Sequence, residues 1–280
     1  MIEYLVLLSS IGFLAFLVPG RHRKYAAVAG WLFIILYLFS ALPDYFAENN
    51  FLYPTIAALS VPFFVITAKY LLKEDVRVNN LTRAAAVAFL IYAPFQYIPA
   101  LGDFLISMVV NQIVWMLSVL HYTPSLDSWN VIMRNSYRVE IILACTGIQS
   151  IAIMLGVAAA MPTTLRQKII AFLMVAPTIY ILNLLRNVFV IIAYTEQWFP
   201  YYPEIASNGE FGYESFFWAH NVIAELLALV ALVVIAFGLF TLIPQLANLA
   251  DELFQLYFGE IKAAFGKKEE IPDLKKDISK

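Results

Sequence analysis

The sequence predicts an all-α fold: a polytopic membrane helix bundle of about seven transmembrane helices, plus an interfacial or re-entrant segment at 104–121. Three observations predict it. Hydrophobic residues make up 62% of the 280 residues and charged residues only 14%, against about 45–50% and about 25% in soluble domains. The charges fall in short clusters between apolar runs instead of along the polar faces of amphipathic elements. The runs themselves approach the roughly 20 apolar residues that a spanning helix needs.

The first run, 2–18, has Glu3 before it and Arg21, Arg23 and Lys24 after it. That order is the reverse of a cleavable signal peptide, so the run is predicted to stay as the first span with the N-terminus outside. Runs 25–42, 54–72 and 84–101 supply the next three spans, and 141–160, 169–192 and 217–242 the last three. The run at 104–121 is long enough to compete, but it carries Asn111, Gln112 and Ser118 and directly follows Gly102 and Asp103. Parity assigns it. With this run in the interface, fifteen of the eighteen basic residues share one side: Arg21 to Lys24, Lys69 to Arg83, Arg166, Lys168 and the lysine-bearing tail. By the positive-inside rule that side is cytoplasmic.

Past Pro244 the apolar residues Leu246, Leu249, Leu253, Tyr257 and Ile261 recur at helical spacing, which predicts an amphipathic helix on the inner leaflet. Lys267, Lys268, Glu269, Glu270, Lys275 and Lys276 then read as a solvated, poorly ordered end. The chain is expected to divide into a transmembrane domain, 1–242, which holds the candidate site residues, and a cytoplasmic helix with a disordered tail, 243–280. Two long segments, 102–140 and 193–216, fall outside, and segments of that length usually carry function. Within the first, 128–142 is β-prone and predicts a small surface hairpin. The second is rich in aromatics, among them Trp198, Tyr201 and Tyr202, as expected at a headgroup interface.

The net charge of −2 decides nothing by itself. Cys145 is the single cysteine, which excludes an internal disulfide and a zinc site built on several thiolates; it is either a buried small hydrophobe or a reactive thiol. No Gly-rich phosphate loop, His-x-x-x-His pair or basic patch interleaved with aromatics is present, so nucleotide, metal and nucleic-acid readings have no support. No cofactor is expected.

Arg186 is the clearest intramembrane charge. At a helix centre an arginine costs about 2.5–3.5 kcal/mol on insertion scales, so it needs a partner or a watery pocket, or it snorkels to the interface. It lies about 9 Å below the outer boundary of its run at 1.5 Å per residue, with Asn183 and Asn187 beside it. Cys145 and His220 fall about 5–6 Å below the same boundary by the same arithmetic. A thiol is a poor nucleophile until a neighbouring cation or base favours the thiolate. The guanidinium of Arg186 offers that cation, or stabilises the oxyanion of a tetrahedral intermediate, and His220 offers a proton carrier. Thr146 and Gln149 are either additional donors or interhelical hydrogen-bond partners. Glu225, five residues beyond His220 and about 140° around an α-helix, is expected to pair within the bundle instead of orienting that ring.

At these residues the sequence resembles the archaeosortase and exosortase family of membrane-embedded cysteine transpeptidases. The resemblance is carried by Ala144-Cys145-Thr146-Gly147-Ile148-Gln149-Ser150, by Asn183-x-x-Arg186 and by His220 at the head of the last span. It covers about 104–242, and the Thr-Gly-Ile-Gln form of the motif leans toward the archaeal branch. The resemblance implies Cys145, Arg186 and His220 as catalytic residues. It also implies cleavage of a C-terminal sorting signal on membrane-anchored precursor proteins: a short motif such as Pro-Gly-Phe, a transmembrane helix and a basic tail. The new carboxyl end would pass from a thioester to the amine of a membrane lipid. Two other classes remain: a small transporter whose path is lined by Arg186 and Glu225, and a purely structural membrane subunit. The transporter predicts that Cys145 is dispensable; missing internal repeats and paired broken helices count against it.

Overall fold

The computed structural model describes residues 2–47, 52–207 and 209–266. It is a polytopic bundle of helices with one small sheet. Helix α1 (Ile2–Leu17) pairs with α2 (Arg23–Ser40), the short α3 (Leu42–Ala47) follows, and α4 (Leu52–Leu72) and α5 (Val76–Tyr97) form the next hairpin. Helix α6 (Pro99–Val119) leads into strands β1 (Ser125–Ser128), β2 (Val131–Arg134) and β3 (Tyr137–Glu140), which form an antiparallel meander in that order. A 3-10 turn (Leu143–Thr146), α7 (Ile148–Ala158), α8 (Leu165–Thr195), α9 (Pro203–Ala206) and α10 (Tyr213–Phe216) come next. A π-helical stretch (Phe217–Ala224) then runs straight into α11 (Glu225–Leu242), and α12 (Pro244–Gly266) ends the described chain. The charged stretch 267–280, expected to be a solvated tail, lies outside the described residues.

Among the described residues five helices are long and apolar enough to cross a membrane: Arg23–Ser40, Leu52–Leu72, Pro99–Val119, Leu165–Thr195 and Tyr213–Leu242. Tyr4–Leu17 and Ile148–Ala158 are shorter apolar helices. The outward faces match a lipid solvent: Leu59, Val65, Leu173, Leu229, Val234 and Phe237 are all exposed. The interior is stitched by interhelical hydrogen bonds, Ser9 Oγ to the Gly30 carbonyl at 2.8 Å and Trp31 Nε1 to Thr82 Oγ1 at 3.1 Å, as expected where lipid supplies no partner for a polar group.

Two expected helix bounds are revised. The run at 104–121 lies within α6, one unbroken helix of 21 residues joined to α5 through Ile98 alone. Helix α6 buries Val109, Val110, Ile113 and Leu117 against Leu184, Val188 and Ile191 of α8. Its polar Gln112 accepts from the Tyr180 hydroxyl at 2.5 Å. The expected span 84–101 is instead α5, which starts earlier because Asp75 caps it through the N–H groups of Arg77 and Val78, and which stops before Pro99. The expected span 141–160 is not one helix but an extended link, a 3-10 turn and the short α7.

The bundle has two distinct ends. At one, Lys24 pairs with Glu74, Lys69 with Glu260, and Gln167 at the start of α8 donates to the Leu242 carbonyl; this is the basic end, and α12 packs there through Tyr257 on Thr67. At the other, the sheet is tied to the last turn of α8 by Arg134, which bonds the Thr195 hydroxyl and pairs with Glu196. The candidate residues lie toward this sheet end.

Candidate active site

Three stretches of chain far apart in sequence build the site. The first is the turn that carries Cys145. After β3 the Ile141 N–H returns to the Asn130 carbonyl, and the Cys145 N–H closes the 3-10 turn on the Ile142 carbonyl at 2.9 Å. Thr146 caps the turn: its hydroxyl donates to the Leu143 carbonyl at 2.7 Å and accepts from the Ile148 N–H at 3.4 Å. Gly147 then takes φ +80°, a left-handed backbone, and only there does α7 begin. A Cβ at Gly147 would stand 3.1 Å from Asn183, so a residue without a side chain both makes the turn and admits α8.

The second stretch is the middle of α8. Asn183 and Asn187 point at the same atom, and each donates its amide to the Cys145 carbonyl, at 2.7 and 2.8 Å. They hold the backbone of the nucleophile candidate, not its sulfur. Arg186 lies on the same helix, one residue before Asn187, and reaches the third stretch instead.

The third stretch is the π-helical head of α11. Arg186 Nη2 lies 3.2 Å from His220 Nε2, and His220 Nδ1 lies 2.7 Å from Asn221 Oδ1. A guanidinium only donates, so Nε2 accepts and the ring proton sits on Nδ1, facing the Asn221 oxygen. Phe216 stacks on the imidazole at 4.9 Å and 11° between planes. The i→i+5 pattern of this stretch also alters the phase assumed for an α-helix, so the angle of about 140° between His220 and Glu225 does not hold across it.

The structure thus ties the Cys145 turn to Asn183 and Asn187 and joins Arg186 of the same helix to His220. It does not bring Thr146 or Gln149 to the same space. Thr146 is fully buried and its hydroxyl serves the turn. Of the two roles open to Gln149 it takes the interhelical one: it faces α5, where it donates to the Tyr92 hydroxyl at 3.2 Å. Sequence reasoning missed Asn221 and Phe216. Adjacency to His220 was the available signal for Asn221, whereas Phe216 reaches the ring only through the π-helical register.

Residues 2–202 match the family model described as transmembrane exosortase (Exosortase_EpsH). The chain belongs to the transmembrane exosortase family. The matched span takes in Cys145, Asn183, Arg186 and Asn187 and stops before His220. This exosortase-family chain is 27% identical over 268 residues to archaeosortase A of Haloferax volcanii, covering 86% of this chain and 88% of that protein. It is 28% identical over 252 residues to archaeosortase A of Natronomonas pharaonis, covering 84% of this chain and 80% of that protein. Both relatives accord with the archaeal leaning of the Cys-Thr-Gly-Ile-Gln motif. No solved structure matches this exosortase-family chain.

Proposed function

We propose that this chain is a membrane-embedded cysteine transpeptidase that cleaves a C-terminal sorting signal from surface proteins and passes the new carboxyl end to a lipid amine. Family membership and the archaeosortase A relatives support a membrane sortase-like transpeptidase. The observation that supports the finer reading is the joining of three distant stretches of chain: Asn183 and Asn187 of α8 hold the Cys145 carbonyl, and Arg186 of the same helix contacts His220.

In this reading the sulfur of Cys145 attacks the scissile carbonyl carbon, and the oxyanion that forms takes the N–H of Arg186 that His220 Nε2 accepts at rest. That exchange frees Nε2 to receive the thiol proton. The imidazolium then hands this proton to the leaving amine as the C–N bond breaks, which leaves a thioester on Cys145. A lipid amine attacks the thioester, an amide forms, the amine's proton leaves through His220, and the thiol is restored. Holding the precursor by its own transmembrane helix turns a bimolecular encounter into a positioned one. The basic end faces the cytoplasm and the site the outer side, as the positive-inside rule requires.

The test uses a reporter protein fused to a Pro-Gly-Phe motif, an apolar helix and a basic tail, co-expressed with the full chain and followed on a gel. Cys145→Ala and Arg186→Ala are each expected to abolish processing while accumulating in the membrane, and mass spectrometry should find the reporter as a thioester on Cys145 of the wild type. Normal processing by Cys145→Ala ends the proposal.

A further inference from the structure

Resting on the transpeptidase reading, the geometry points to a docking groove for the precursor's transmembrane helix between α8 and α11, headed by Arg186. A cavity of about 380 Å³ lies there. Its rim at the sheet end is formed by Arg186, Phe189 and Ala224, and it runs toward the basic end as far as Ile179 and Ile235. Eleven residues separate Ala224 from Ile235, about 16 Å of helix, so the groove takes roughly three turns of a guest. Apart from the guanidinium and the short polar groups of Asn183 and Ser150, its walls are apolar. It opens to the lipid, since Leu182, Leu185 and Leu227 on its lips are exposed.

Two features select a peptide helix as the occupant. The groove begins at the side chain where the scissile carbonyl must sit, and Arg186 has charge to offer it: its buried Nε has no hydrogen-bond partner among the described residues. From that point a sorting signal continues as an apolar helix directed toward its basic tail, and the groove leads the same way, from the sheet end toward the basic end. The α11 wall is lined by Ala224, Ala228 and Ala231, so a guest backbone can approach closely and gain packing that lipid tails alone do not supply. An acyl chain needs no such wall and has no continuous link to the reacting bond.

The test places a photo-reactive benzoylphenylalanine at position 227 or 231, on the groove, and at position 229, which faces lipid, in the Cys145→Ala chain co-expressed with the reporter. Cross-links to the reporter's helix are expected from 227 and 231 and not from 229. In the otherwise unaltered chain, Ala228→Trp fills the groove and is expected to slow processing about a hundredfold, the scale of loss that follows a misplacement of about 1 Å. Leu229→Trp is expected to process normally. Reporter cross-links that are equal at all three positions, or lipid adducts alone from 227 and 231, overturn the groove. Either result leaves the transpeptidase reading intact, whereas processing by Cys145→Ala removes that reading wherever the cross-links fall.

Discussion

The Nη2 atom of Arg186 lies 3.2 Å from Nε2 of His220, and the other ring nitrogen is engaged by Asn221. Arginine and histidine are both cationic residues by habit, yet here they meet as donor and acceptor, which requires a neutral ring with its proton on Nδ1. The contact joins α8 to the head of α11 and holds the guanidinium at the rim of an apolar groove.

His220→Gln separates positioning from proton transfer. A glutamine carbonyl accepts from Arg186 but carries no proton between thiol and leaving group, so the rate of reporter cleavage should fall about 10²–10⁴-fold, the usual worth of a general acid and base. His220→Phe should be no better. Full activity in His220→Gln would reduce the histidine to a support for Arg186.

Asn183 and Asn187 give the Cys145 carbonyl two donors where one would satisfy it. Asn183→Ala or Asn187→Ala alone should therefore lower stability by about 1 kcal/mol, one hydrogen bond. Together they strand that carbonyl, and the loss should exceed the sum of the single effects. Thermal unfolding in detergent reads the coupling, and the rate of maleimide labelling of Cys145 should rise only in the double variant. Strict additivity would mean that another group takes over the carbonyl.

Hydropathy and charge make much of this fold legible because both act on whole segments: the positions of α1, α2, α4 and α8, and of the π-helical stretch together with α11, follow from them to within a few residues. The Arg186–His220 contact is legible for the same reason, since a similar depth follows from span ends. What hydropathy does not encode is register. The 3-10 turn and left-handed Gly147 leave an apolar run unaltered in composition while breaking its helix, so the run 141–160 does not read as a turn followed by the short α7. The π-helical stretch likewise shifts Glu225 around its axis without changing a residue. Nor does hydropathy encode partners: Gln112, a polar residue in an apolar run, is satisfied by Tyr180, 68 residues away in sequence.

Asp75 makes the entry to α5 sensitive to acid. The side-chain hydrogen bonds from Arg77, joined by the N–H groups of Arg77 and Val78, hold its carboxyl below the ordinary aspartate range. A depressed folded value means the stabilisation is complete above the unfolded pKa of about 3.9 and is lost as pH falls through the lower folded value. Unfolding temperature measured from about pH 6 to about pH 3, on either side of the ordinary aspartate value, should drop more steeply for wild type than for Asp75→Asn. The asparagine still caps the helix but does not titrate. Parallel curves would assign the acid sensitivity elsewhere.

Arg134 fixes the sheet to the bundle by bonding Thr195, pairing with Glu196 and lying 4.5 Å over the Tyr122 ring. Arg134→Met should cost about 2 kcal/mol, less than the roughly 3–5 of a fully buried broken pair, because the Glu196 side chain remains 32% exposed. Arg134→Lys should recover little, since one ammonium cannot serve the carboxylate, the hydroxyl and the ring together. Limited proteolysis within 120–140 is the readout; wild-type resistance in the lysine variant would show that charge alone holds the sheet.

Gly147 is where chemistry and fold constrain one residue at once. Gly147→Ala meets two penalties: a left-handed backbone at φ +80°, worth about 1–2 kcal/mol for a residue with a Cβ, and a methyl 3.1 Å from Asn183. The methyl meets both Cβ and Cγ of Asn183 at 3.1 Å, so the turn itself must shift away from α8, and with it the aim of the sulfur. The variant should therefore lose reporter cleavage by about a hundredfold, as misplacement does, while unfolding only a few degrees lower. Asn183→Gly removes both crowding atoms, so Gly147→Ala should cost less stability in that background than in the wild type. If the two losses simply add, the strain lies in the backbone alone and Asn183 is a bystander to it.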